Sequence, residues 1–264
     1  MIHPTAIVDP SARLGKKVEI GPFTIIGPQV RIGDGCKIGG HVVIARNTRM
    51  GRNNRVFQFA SVGEDPQDKK YDGEETWLEI GDENVIREYA TIHRGTIQDE
   101  GITCIGDRNL LMAYTHVAHD CILGNDIILS NGASLAGHVQ IDDKVILGGF
   151  TLVHQFCRIG AHAFAGMGST IDRDVLPYVT VDGQPGRPRA VNIEGLKRHE
   201  FTREARRGIE KAFRLFFRSG KPVEEARQAI EDLANEHPEV KVMVDFLAQP
   251  SKRGILRGRN QAEE

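Results

Sequence analysis

The tightest constraint on this chain is a period of six. Aliphatic residues recur at Ile2, Val8, Leu14, Ile20, Ile26, Ile32, Ile38 and Ile44 without a missed step, then at Met50, Val56 and Val62. A helix needs apolar spacing near 3.6 and an ordinary strand near 2, so a strict six means short strands joined by turns that redirect the chain each time. The fifth place of each hexad is small or β-branched, as at Val18, Thr24, Val30, Cys36 and Val42. A glycine often follows the aliphatic residue; the chain has 29 glycines and only 6% aromatic residues, which suits tight corners around a narrow core. The expected fold is mainly β: a solenoid whose aliphatic and fifth-place residues point inward, three hexads closing each triangular coil of 18 residues. About nine coils at ~4.8 Å spacing make a prism on the order of 40 Å long.

The register returns at Ile80, Ile86 and Ile92, and again, shifted by one residue, from Ile105 through Leu111, Val117, Leu123, Leu129 and Leu135 to Ile171. Two polar stretches interrupt it, near 64–79 and 98–104, and read as loops extruded from the solenoid, where ligand contacts are common. Val62 and Ile80 are 18 positions apart, so the first loop is expected to replace one coil's worth of chain. The hexads stop after Pro177, and a turn-rich segment leads to a helical tail. A first helix begins at Thr202 with apolar residues at Ala205, Ile209, Ala212, Phe213, Phe216 and Phe217 and ends at Ser219-Gly220. Pro222 opens a second helix to about Asn235, and Pro238 a third to about Leu247. The expected domains are a β-helix over 1–185 and a helical domain over 186–264.

A net charge of -2 gives no overall basic bias, so no nucleic-acid partner is expected, although the chain after residue 185 is locally rich in Arg and Lys. Four cysteines without a CxxC spacing, no signal peptide and no long apolar run point to the cytoplasm and against membrane insertion. Cys36, Cys121 and Cys157 occupy fifth places and read as core filler.

Within an unbroken phase, side chains 18 apart lie one above another, and the phase is expected to hold from Ile105 to Leu176. His119 then stacks on Gly137 and Gln155, Asp120 on His138 and Phe156, and Ala118 on Ala136 and His154. One corner thereby collects three histidines, a carboxylate and a bare backbone amide. A neutral imidazole can take a proton near pH 7 while a carboxylate fixes its tautomer, so His119 is the candidate base and Asp120 its orienter. The Gly137 N–H is placed as an oxyanion donor. His119 is expected to be an outward corner residue with little packing.

These residues sit among motifs that resemble the UDP-N-acetylglucosamine O-acyltransferases that open lipid A biosynthesis. The motifs are Gln58 to Glu64, Thr91 to Gly95, Asn109 to Met112, His116 to Asp120, Leu135 to Val139, Val153 to Phe156 and Asn192 to Lys197. The resemblance covers nearly the whole chain. It implies a left-handed parallel β-helix, an exception to the usual right-handed crossover, and a homotrimer with active sites in the clefts between subunits. It implies transfer of an (R)-3-hydroxyacyl group from acyl carrier protein to the 3-hydroxyl of UDP-N-acetylglucosamine, without a covalent intermediate. By the same resemblance, His119, Asp120 and Gly137 are the catalytic positions. The implied contacts to the nucleotide sugar are Gln67, Asp68 and Lys70 in the first extruded loop, then His93, His116, His138 and Gln155, and Asn192, Glu194 and Arg198 near the tail. Gly149 and His154 match the acyl groove. Met167 stands at the place of the chain-length ruler and is expected to limit the donor to about ten carbons. His199 departs from the pattern, since a second arginine is common there. An acidic carrier protein suits the basic residues Arg187, Arg189, Lys197, Arg198, Arg203, Arg206 and Arg207.

Two other readings fit parts of the pattern. Zinc-dependent carbonic anhydrases share the hexad, and His116-x-x-His119 is a conceivable metal spacing, but none of their further motifs is present. General-base chemistry needs no ion, so neither a metal nor a cofactor is expected. The related N-acyltransferase of the same pathway carries an additional N-terminal uridine-binding domain, and no such domain is expected before residue 2.

Overall fold

The structure, a computed structural model, describes residues 1–257; residues 258–264, the end of the expected helical domain, lie outside the described residues. Two-residue strands alternate with tight corners and stack into three parallel faces. The first face has nine strands, from Ile7–Val8 to Thr170–Ile171, and the second has eight, from Arg13–Leu14 to Arg158–Ile159. The third has ten, beginning at Glu19–Ile20. The hexad produces this directly. In most strands the second residue is buried and the first faces out, as in Arg31–Ile32, and the fifth-place residues Val30, Cys36 and Val42 are fully buried. Most corners turn through one residue in the left-handed region, such as Asp120 (φ +59°), His138 (φ +60°) and Phe156 (φ +68°). Its side chain is thrown outward, and corner residues of successive coils stack into ladders.

The first interruption differs from its expected form, whereas the second agrees with the one-residue shift read in the sequence. Met50 pairs with Ile80 and Val56 with Ile86, each 30 positions apart, so the first loop adds 12 residues inside one coil and replaces none. Ile92 pairs with Val117 and Ile80 with Ile105, 25 apart, so the second adds seven. The hexad phase survives the first because 12 is two hexads. It shifts after the second because seven is one more than six.

The phase also ends earlier than expected. Val153 pairs with Ile171 at the regular 18, but Ile159 bridges Val175 and Ala165 pairs with Val181, each only 16 apart. The segment after Pro177, expected as turns, is an antiparallel hairpin, Val179–Asp182 with Arg187–Val191, that extends the third face. Residue 185 lies in its turn. A short helix α1 (Ile193–Arg198) follows, then α2 (Arg203–Phe217), α3 (Val223–Ala234) and α4 (Lys241–Ala248). The Thr202 hydroxyl caps α2 by accepting from the Ala205 N–H at 3.1 Å. The helices bury Ile209, Phe216, Ile230, Val240 and Met243 among themselves. Their attachment to the prism is polar as well as apolar. Arg158 donates to Asp174 at 2.9 Å and to the Gln249 side chain at 3.0 Å, both charges buried, with its guanidinium 4.4 Å from the Phe246 ring.

Candidate functional site

His119 and Asp120 occupy the corner between the first and second faces. Asp120 Oδ2 lies 2.7 Å from His119 Nδ1, and Thr96 donates to the same carboxylate twice, from its N–H (2.7 Å) and its hydroxyl (2.6 Å). The Asp120 N–H is bound by the Thr103 hydroxyl at 2.8 Å. Burial pulls the Asp120 carboxyl up, but the bonds from His119 and Thr96 outweigh it and hold it below the ordinary carboxylate value. Asp120 is thus an ionised, fully engaged acceptor that keeps His119 Nδ1 as the N–H and leaves Nε2 with the lone pair.

His119 is not the loosely packed outward residue expected from the sequence; it is only 8% exposed. The reason is the next coil. The ring lies against Gly137, where a Cβ would stand 2.6 Å from Cε1 and 2.8 Å from Nε2. Only glycine leaves room for the imidazole. The Gly137 N–H makes no hydrogen bond among the described residues, so a donor is free beside the candidate base.

The 18-residue stacking brings His138 over Asp120 and Phe156 over His138, the last two rings stacked at 4.6 Å. His116 and His93 flank the dyad on the first face. His116 Nδ1 bonds the Thr91 hydroxyl at 2.7 Å, and the two imidazoles meet edge to face at 5.0 Å. Burial lowers the His116 pKa, with the charge of His119 adding to it. His93, almost fully enclosed, is pushed down to about 4 by burial and then by His116, His119 and Arg94. Both are therefore neutral near pH 7.

Several residues of the site went unread in the sequence. Arg94 is fully buried and donates to the Gly63 carbonyl, to Asp65 and, at 3.1 Å, to the Tyr71 hydroxyl. It fastens the first extruded loop, leaving Gln67 and Lys70 exposed at its tip and Asp68 closing a turn onto the Lys70 N–H. Thr96, Asp99 and Thr103 come from the second interruption, and the 18-residue rule cannot reach across it. Using the true offset of 25 would have placed Gly95 and Thr96 beside Asp120.

Other expected residues lie apart from this corner. Asn192 accepts from the Gly195 N–H at 3.0 Å as the cap of α1 and donates to the His162 carbonyl at 2.9 Å. That puts Asn192, exposed Glu194 and exposed Arg198 by the ladder at the corner between the second and third faces. One chain does not bring them to His119. Gly149 and Met167 stack at the corner between the third and first faces, with Met167 Cγ 3.9 Å from where a Gly149 Cβ would be. Met167 is 79% exposed. The first face, with exposed Leu152 and His154 and half-buried Gln155, spans the distance from that corner to His119. As for metals, ligand atoms of His119, Asp120 and His138 lie within 4.8 Å of one another. The His-x-x-His reading is not what the fold assembles, because His116 turns its Nδ1 to Thr91.

This geometry agrees with known proteins along the chain. A family profile for bacterial transferase hexapeptides matches residues 2–46, and one described as UDP-N-acetylglucosamine O-acyltransferase, domain 2, matches 174–256. A protein from Alkalilimnicola ehrlichii, acyl-[acyl-carrier-protein]--UDP-N-acetylglucosamine O-acyltransferase, is 60% identical over 97% of this chain and 99% of its own length. The chain belongs to the UDP-N-acetylglucosamine O-acyltransferase family. Solved members superpose closely. The acyltransferase from Francisella novicida has a TM-score of 0.96 at 43% identity, covering 98% of this chain and 95% of that one. The one from Moraxella catarrhalis has 0.95 at 45%, covering 97% and 99%. As in this acyltransferase family, the β-helix is left-handed.

Two outcomes are expected from the corner itself. Gly137→Ala should displace the His119 ring by a sizeable fraction of an ångström and lower turnover by roughly 10²-fold, since misplacement on that scale costs about that much. Circular dichroism and melting should stay near the parent; turnover within a few-fold of the parent would refute the packing argument. Acid should also act through His93. Its ordinary value is 6.5, and in the fold it stays neutral to about 4, so between those values the unfolded chain binds more protons. Stability is full above about pH 6.5 and falls as pH drops toward 4. A urea-midpoint series against pH should show this slope in the parent and a shallower one in His93→Gln.

Proposed function

We propose that this protein transfers an (R)-3-hydroxyacyl group of about ten carbons from acyl carrier protein to the 3-hydroxyl of UDP-N-acetylglucosamine, in the cytoplasm, as the first step of lipid A biosynthesis. The observation that carries the reading is His119, held by Asp120 at Nδ1, with Nε2 and the neighbouring Gly137 N–H both without a partner among the described residues. As the sugar hydroxyl attacks the thioester carbonyl, His119 Nε2 takes its proton and Asp120 stabilises the imidazolium. The Gly137 N–H holds the oxyanion of the tetrahedral intermediate. Collapse breaks the C–S bond, and the carrier's thiolate leaves with the proton from His119. General-base catalysis of this kind contributes about 10²- to 10⁴-fold. No metal, cofactor or acyl-enzyme enters the sequence.

The working unit in this reading is a homotrimer. Asn192, Glu194 and Arg198 lie at a different corner from His119 in one chain, which supports a cleft completed by the adjacent subunit. There Lys70 at the loop tip and Arg198 meet the diphosphate, with Gln67, Asp68, His93, His116, His138 and Gln155 around the sugar and uridine. The basic face near α2 receives the acidic carrier protein. Among the described residues no helix is long and apolar enough to cross a membrane.

The testing experiment is an acyl-transfer assay with UDP-N-acetylglucosamine and a series of 3-hydroxyacyl carrier thioesters. His119→Ala should abolish transfer while the assembly and nucleotide-sugar binding persist, and Asp120→Asn should be milder; near-normal turnover without His119 would sink the mechanism. The same series tests the ruler. Four heavy atoms of Met167 exclude roughly four methylenes at about 0.8 kcal/mol each, so the parent should prefer about ten carbons and Met167→Gly should move the preference to longer donors. An unchanged ranking of donors removes Met167 from this role.

A further inference from the structure

The second interruption adds seven residues to the coil directly before His119, and its turn reaches two residues of the site at once. Thr96 accepts at its carbonyl from the N–H groups of Asp99 (3.2 Å) and Gly101 (3.1 Å), which closes the turn. The same residue fixes Asp120 through its N–H and hydroxyl. Three positions on, Asp99 Oδ2 lies 2.7 Å from His138 Nδ1. His138 has little freedom besides: its ring stacks on Phe156, meets the His119 ring edge to face at 5.2 Å, and is mostly covered.

A neutral imidazole has one N–H and one lone pair, and the hydrogen bond at one nitrogen decides which is which. A carboxylate at Nδ1 holds the proton there. The other nitrogen, Nε2, then faces the His119–Asp120 dyad as an acceptor. It is 3.7 Å from Asp120 Oδ2, too far for a hydrogen bond, and Asp120 already receives three donors. Among the described residues Nε2 therefore has no hydrogen-bond partner, at the place where an incoming hydroxyl must approach His119.

We propose that Asp99 is a positioning residue that sets the tautomer of His138, so that His138 Nε2 accepts a hydrogen bond from a hydroxyl of the acceptor sugar and orients that sugar against the base. The inference rests on the acyl-transfer reading of this corner. It assigns the second interruption a purpose: one turn holds the orienter of the base through Thr96 and the orienter of the acceptor through Asp99.

The test is steady-state kinetics of Asp99→Ala, Asp99→Asn, His138→Ala and the Asp99→Ala/His138→Ala double variant, with nitrogen NMR of histidine-labelled protein. Loss of one such hydrogen bond corresponds to about tenfold in affinity. Asp99→Ala should raise KM for UDP-N-acetylglucosamine about tenfold with kcat within about twofold. Asp99→Asn, whose amide oxygen accepts the same N–H, should stay near the parent. The double variant should be no worse than His138→Ala, because Asp99 acts through His138. NMR should show His138 protonated at Nδ1 in the parent and redistributed to Nε2 in Asp99→Ala. The proposal is overturned by an unchanged KM in Asp99→Ala, by losses that multiply in the double variant, or by an Nε2-protonated His138 in the parent. The NMR arm needs no turnover, so it decides the Asp99 assignment even if the parent transfers no acyl group.

Discussion

The parallel backbone ladder between successive coils is what the rest of this structure depends on. Backbone N–H groups reach carbonyls of the adjacent coils, forward as from His154 to Ile171 at 2.8 Å and back as from His138 to His119 at 3.0 Å, so vertical neighbours are fixed by counting. A solenoid built this way leaves a corner side chain almost no choice of company. His119 meets Gly137 because they are 18 apart, and the clearance for the imidazole follows from the missing Cβ. Sites held on such rigid elements keep their geometry without help from flexible loops.

The two insertions nevertheless matter, because they are where the counting rule is broken and polar partners can enter. In the first, buried Arg94 draws Gly63, Asp65 and Tyr71 together, tying the loop base to the same strand that carries His93. In the second, Thr96 and Thr103 supply hydroxyls that a pure hexad would not place beside Asp120. Asp120 pays for its burial with these bonds and so remains ionised. His93 and His116, which flank the dyad, are kept neutral by enclosure, which preserves lone pairs in a crowded cluster.

How much of this was legible follows from the same distinction. The period of six gave the three-sided solenoid and the stacking of His119, Asp120, His138 and Gly137, because each of those statements is local and repeats. Thr202, Ser219 and Gly220 marked the ends of α2 by capping chemistry that any helix shows. What escaped depended on chain between repeats. The true offsets of 30 and 25 could not be read where the hexads pause, so Arg94, Thr96 and Asp99 had no assigned neighbours. The hairpin after Pro177 was hidden by Gly and Pro at its tip, and the enclosure of His119 by the absence of any signal for how closely coils approach. Asn192 shows a different limit: its side chain caps a short helix, a duty the motif alone does not reveal.

The shortened final coil has a consequence for what the molecule avoids. A parallel solenoid is an open template, since its last coil offers a row of unpaired amides and carbonyls to any strand that arrives. Here the register tightens from 18 to 16 residues, and the next strand on the third face runs the opposite way, Val179–Asp182 against Arg187–Val191. A newcomer of regular pitch would find its hydrogen-bonding groups out of step, and the helices anchored through Arg158 and Asp174 stand beside it. The same irregularity that spoils the sequence period thus acts as a stop against fibre growth, letting a highly repetitive chain remain a discrete particle.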